Sequence, residues 1–175
     1  MELFLFKANY DKRGFSKLKR FEMPITYEKM RRALDSEGKG EEELEQWRLI
    51  DIAGPQPLID ACFKNKLGEM FLDLQAEIDF TAGIFEEWSQ EFKLNLLAQA
   101  AQKLKRDFRD FVWSGWHTII YKEDGFDFED TLRMLSWCGD FIYAGQRPSR
   151  QEIATYLKNH PNRFVAVEDY YILLT

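Results

Sequence analysis

The chain has 175 residues, 45% of them hydrophobic and 15% aromatic, with fifteen Phe. That length suits one ordinary domain or a few very small ones, and the apolar content excludes a disordered chain. A formal net charge of −6 argues against a strongly basic nucleic-acid binder.

In chain order, Leu3-Phe4-Leu5-Phe6 predicts a buried strand. Asn9 to Lys19 is basic, contains Gly14 and reads as a loop or hairpin connection. Arg20 to Met23 alternates as a second strand, ended by Pro24. Thr26 suits an N-cap for a helix running to about Asp35. Ser36 to Glu43 reads as a solvated loop. Gln46 to Ala53, with Trp47, Leu49 and Ile50, reads as a third strand, stopped by Gly54-Pro55-Gln56-Pro57.

From Leu58 to about Phe111 the apolar spacing is helical. Ile59, Cys62 and Phe63 form one stripe; Leu67, Met70, Phe71, Leu74 and Ile78 form a second. Two more follow, one through Ile84, Phe85, Trp88 and Phe92, the other from Leu94 to Leu104. Breaks are expected at Asn65-Lys66 and at Phe80 to Gly83. His117 to Lys122 reads as a strand, Asp124-Gly125 as a turn, and Phe128 to Gly139 as a helix. Ser149-Arg150-Gln151-Glu152 is a capping box that opens a helix carrying Ile153, Tyr156 and Leu157. Phe164 to Val167 and Tyr170 to Leu174 flank Glu168-Asp169 as a β-hairpin.

The predicted order is β-β-α-β, then helices, then β-α-α-β-β. This is an α+β fold with an N-terminal module at 1–54, a helical module at 55–115 and a C-terminal module at 116–175. Cys62 and Cys138 lie far apart in apolar helical patterns, which points to buried thiols rather than a disulfide. The opening Met1-Glu2-Leu3-Phe4 lacks a signal peptide's basic and apolar regions, and no run approaches the ~20 residues of a membrane span. A cytoplasmic protein with no membrane contact is expected.

No catalytic or metal constellation emerges. His117 and His160 have no second histidine or cysteine at ligand spacing, and His160 suits a helix C-terminus. Ser114-Gly115 lacks the leading glycine of a nucleophile elbow. Gly38-Lys39-Gly40 stands alone in a charged loop and is no phosphate cradle. Asp124, Asp127, Glu129 and Asp130 cluster, but Gly125 falls too early for a calcium loop and Phe126 and Phe128 intrude. No enzyme activity, cofactor or metal is expected.

Charge is more informative. Residues 1–40 hold ten basic and six acidic side chains, whereas residues 41–91 hold three basic and thirteen acidic ones. The central acids are Glu41, Glu42, Glu43, Glu45, Glu69, Asp73, Glu77, Asp79, Glu86, Glu87 and Glu91, with Asp51 and Asp60. Glu69, Asp73 and Glu77 recur at every fourth position and are expected on one helical face, where like charges repel modestly. The plain reading is a solvated face; the sharper one is an anionic surface for a basic partner. Carboxylates every fourth helical residue rise by ~6 Å, against one charge per ~3.4 Å along a DNA strand. Imitating DNA would therefore take several acidic elements side by side, or a dimer. An alternative contact is aromatic, through Trp113, Trp116 and Trp137.

Three segments resemble the ArdA antirestriction family. Lys19 to Leu34 is similar to its early strand, proline and helix. Leu49-Ile50-Asp51-Ile52 followed by the Leu67 to Gln75 helix looks like its strand and the helix that begins its middle module. Phe128 to Gly139, Pro148-Ser149 through Tyr156 and the terminal strands look like its closing helix, proline-led helix and β end. The resemblance implies an elongated, modular, often dimeric protein encoded on mobile elements. Such a protein mimics DNA and occupies the DNA-binding groove of type I restriction–modification enzymes. The partner implied is a basic DNA-binding protein, with no direct nucleic-acid contact, gripping the carboxylates of residues 41–91.

Overall fold

The computed structural model describes residues 1–7, 17–35, 38–113, 119–121, 132, 135 and 148–174. The fold is α+β, with two small antiparallel sheets and several helices. Met1–Ala98 forms one compact unit and Gln99–Thr175 a second.

The first unit opens with β1 (Glu2–Lys7) and β2 (Lys17–Glu22), followed by α1 (Tyr27–Leu34), the short α2 (Glu41–Leu44) and β3 (Trp47–Ala53). The Met23–Pro24 peptide bond, just past β2, is cis. The strands pair antiparallel in the order β2-β1-β3. Side chains alternate across a sheet, so Leu3 and Leu5 are buried with Leu49 and Ile52 of β3. Phe4 and Phe6 occupy the other face, opposite Arg20 and Leu18 of β2. The register shifts between Phe4 and Leu5, leaving Ile50 as the extra residue of a bulge. Thr26 caps α1 as expected, accepting a hydrogen bond from the Lys29 N–H. Met30 and Leu34 of α1 are buried, each worth about 1.5–3 kcal/mol on removal from water.

Helices α3 (Gln56–Phe63), α4 (Gln75–Trp88) and α5 (Glu91–Lys103) follow, with a 3-10 turn at Phe71–Leu74 before α4. Gly68 (φ +89°) turns the chain back onto β3. Its N–H donates to the Leu49 carbonyl at 2.6 Å, and the Leu49 N–H donates to the Glu69 carbonyl at 3.1 Å. With the Arg48–Met70 bridge, these bonds cover the outer edge of β3 at Arg48 and Leu49. The expected boundary at 54/55 therefore falls inside the first unit, because residues 68–70 are stitched to the sheet.

Three sequence expectations are corrected here. Glu41–Leu44 is helical, not loop. Phe80 to Gly83 does not interrupt α4, because the small buried Thr81 and Ala82 suit its inward side and the Thr81 hydroxyl donates back to the Glu77 carbonyl at 2.7 Å. Leu67 is exposed on the turn before Gly68 rather than part of a buried helical stripe.

The second unit contains the end of α5, α6 (Phe108–Trp113), β4 (Ile119–Tyr121), α7 (Arg150–Asn159), β5 (Phe164–Val167) and β6 (Tyr170–Leu173). Its sheet order is β4-β6-β5. The capping box at Ser149 and Glu152 is complete. Glu168 takes φ +51° in the β5–β6 turn, the left-handed conformation a tight hairpin demands. Leu132, Leu135, Ile153, Leu157, Phe164 and Leu173 form its core, with Tyr156 and Tyr171 packed against it. The expected turn at Asp124-Gly125 lies outside the described residues, as does most of the expected helix at Phe128 to Gly139.

Candidate acidic partner-binding surface

Ten of the thirteen central carboxylates fall into two groups. In the first, each is engaged inside the first unit. Glu43 is buried, and its Oε1 lies 2.5 Å from Lys7 Nζ, with side-chain exposures of 3% and 11%. The cause is sheet register. Lys7 stands opposite Trp47, which follows α2 by three residues, so the end of β1 meets the helix that carries Glu43. Asp79 Oδ1, on α4, accepts the Tyr27 N–H at 2.9 Å. It thus satisfies a donor at the start of α1 that the helix leaves unpaired. Glu77 lies 3.5 Å from Lys66 Nζ. Glu91 receives the Met1 ammonium.

Glu41, Glu42, Glu45, Asp73, Glu86 and Glu87 form the second group. All are exposed, and their carboxylates make no hydrogen bond or ion pair among the described residues. Glu69 is half-buried in the turn before the 3-10 segment. Glu69, Asp73 and Glu77 do not share one helical face, because they occupy a turn, a 3-10 turn and α4 respectively. The structure instead gathers Glu41, Glu42 and Glu45 on and beside α2, and Glu86 and Glu87 at the end of α4.

The second pair stands at an electrostatically unfavourable place. The C-terminus of a helix carries partial negative charge, which favours cations by about 0.3–1 kcal/mol and disfavours anions comparably. Glu86 and Glu87 lie in the last turn of α4, and no basic residue occupies that turn.

Sequence reasoning missed the surroundings of Tyr27. Its ring stacks on Phe71 at 4.5 Å with a 6° interplanar angle. Burial pushes the Tyr27 hydroxyl pKa up; Arg31 opposes the shift, and Asp73, Asp79 and Glu28 reinforce it. A Thr-Tyr pair at a helix start was the available signal, but the partners lie far along the chain.

Of the aromatic candidates, Trp113 ends α6 and is 54% exposed; Trp116 and Trp137 lie outside the described residues. His160 ends α7. Its Nδ1 lies 2.7 Å from the Tyr156 carbonyl oxygen, which can only accept, so that nitrogen carries the proton. Among the described residues no three His, Cys, Asp or Glu side chains are grouped to hold a metal ion. His117 and the acids at 124–130 lie outside those residues. Cys62 is buried in α3, and Cys138 is not among the described residues. No described helix is long and apolar enough to cross a membrane. No protein-family model matches the chain, and neither does any curated protein or solved structure.

Proposed function

We propose that this chain is a non-enzymatic, cytoplasmic inhibitor of the ArdA type. It presents carboxylates in place of DNA phosphates to the DNA-binding groove of a type I restriction–modification enzyme. The observation that carries this reading is the pair Glu86 and Glu87. Two exposed carboxylates stand at the negative end of α4 without a cation in that turn, against the helix dipole, and make no hydrogen bond or ion pair among the described residues. A role toward a basic partner accounts for them. Glu41, Glu42 and Glu45 extend the same chemistry to α2, and the exposed Asp73 adds a further charge. Glu43, Glu77, Asp79 and Glu91 are assigned to the fold, not to the partner.

The test is electrophoretic competition between the protein and a DNA duplex for a type I methyltransferase. Displacement of the duplex at micromolar protein is expected, weakening as salt is raised. A duplex that stays bound at every protein concentration refutes the reading. The exposed Trp113 favours a second reading, an interaction module that binds through an aromatic surface. In that case Trp113→Ala abolishes partner binding and charge reversal on α2 and α4 leaves it intact.

A further inference from the structure

We propose that the outer edge of β2 accepts an extended acidic segment of a partner protein as a fourth strand of the N-terminal sheet. The proposal concerns a surface of opposite charge to the one above and does not depend on that reading.

In the order β2-β1-β3, the first part of the β3 edge, at Arg48 and Leu49, is covered by residues 68–70. Nothing among the described residues pairs with the outer side of β2. About half of the N–H and C=O groups of an edge strand point away from its neighbour and invite another chain.

The side chains along this edge specify what would fit. Lys17, Leu18, Lys19 and Arg20 are all exposed, in a protein whose net charge is −6. Lys17 and Lys19 make no ion pair among the described residues. They stand opposite Lys7 and Leu5, on the core side of the pleat. Leu18 and Arg20 stand opposite Phe6 and Phe4 on the outer side, where Arg20 pairs with Glu2. A strand added here would meet lysines with alternate residues on one face, and a leucine and an arginine on the other. Carboxylates answer Lys17 and Lys19, and an apolar side chain answers Leu18.

Lysines also serve to keep edges unpaired. An edge built only to repel has no use for Leu18, which is 58% exposed beside the half-buried Phe6. Pairing of β2 with a second copy is disfavoured, because an antiparallel pair centred on Lys19 sets that lysine against its own copy, and like charges directly opposite destabilise a ladder.

The experiment uses the whole chain, isotopically labelled, and a capped peptide of alternating Glu and Val about six residues long, the usual strand length. The amide signals of Lys17 to Glu22 are expected to shift and to gain protection from hydrogen exchange. A Lys/Val peptide is expected not to bind. Lys17→Glu with Lys19→Glu should weaken the acidic peptide at least about tenfold and admit the basic one. Lys17→Gln with Lys19→Gln, which deletes charge without reversing it, should give an intermediate loss. Unmoved β2 amides at millimolar acidic peptide overturn the proposal. So does equal binding of both peptides, or sedimentation showing that the edge is occupied by a second copy.

Discussion

Replacing Glu43 by Ala leaves the Lys7 ammonium in a site only 11% exposed with its counter-charge gone. Breaking a buried pair by removing one partner costs about 3–5 kcal/mol, because an uncompensated charge stays out of water. Lys7 retains some solvent access and has a flexible stem, so the lower half of that range, about 3 kcal/mol, is expected. That is a large share of the roughly 5–15 kcal/mol that holds a typical domain together. Removing both charges together, as Lys7→Met with Glu43→Leu, should be far milder, since a well-packed apolar pair often equals a buried ion pair. The control is Glu42→Ala, one residue away and exposed, expected within about 0.5 kcal/mol of the parent. Urea denaturation read from amide signals of the first unit gives the stability of each variant against the parent. If Glu43→Ala proves as harmless as Glu42→Ala, the ion pair is not structural and Glu43 returns to the set available to a partner.

Asp79→Ala removes the acceptor for the Tyr27 N–H and should destabilise the first unit by about 1 kcal/mol, the usual cost of a lost helix cap; accelerated hydrogen exchange at Tyr27 is the direct readout. The hydrogen bonds from the Ser149 backbone and hydroxyl hold the Glu152 carboxyl below the ordinary glutamate pKa. A depressed carboxylate pKa stabilises the fold above the unfolded value, and that contribution is lost as pH falls through the folded one. The second unit should therefore loosen in acid, and Glu152→Gln should abolish that part of the pH dependence in an NMR-monitored acid titration. Tyr27 should ionise at higher pH than an exposed tyrosine in a spectrophotometric titration, and Tyr27→Phe should remove that late step.

What the residues revealed in advance was local. The capping box at Ser149-Glu152, the Thr26 cap and the terminal hairpin each rest on side chains within a few positions of one another, so spacing alone displays them. What they hid was long-range. The burial of Glu43 follows from the register that sets Lys7 opposite Trp47, and a run of glutamates gives no hint of it. Asp79 looks like one more surface acid until the pairing with Tyr27, 52 residues away, is known. The spacing of Glu69, Asp73 and Glu77 implied one helical face only on the assumption of continuous α-helix. The turn at Gly68 and the 3-10 segment break that geometry. Leu67 matched an apolar stripe for the same reason and is exposed. The unfavourable placement of Glu86 and Glu87 also became visible only when α4 was seen to continue through Gly83 to Trp88.

The sharpest measurement is a paired one on Glu86→Lys with Glu87→Lys: affinity for a type I methyltransferase beside the urea midpoint of the variant. Cations at the end of α4 suit the helix dipole, so stability should hold or rise by a few tenths of a kcal/mol or more. Affinity should fall at least about tenfold, ~1.4 kcal/mol, because the groove loses two phosphate surrogates and meets two like charges. Unchanged affinity, with the fold intact, contradicts the claim that these carboxylates face a partner.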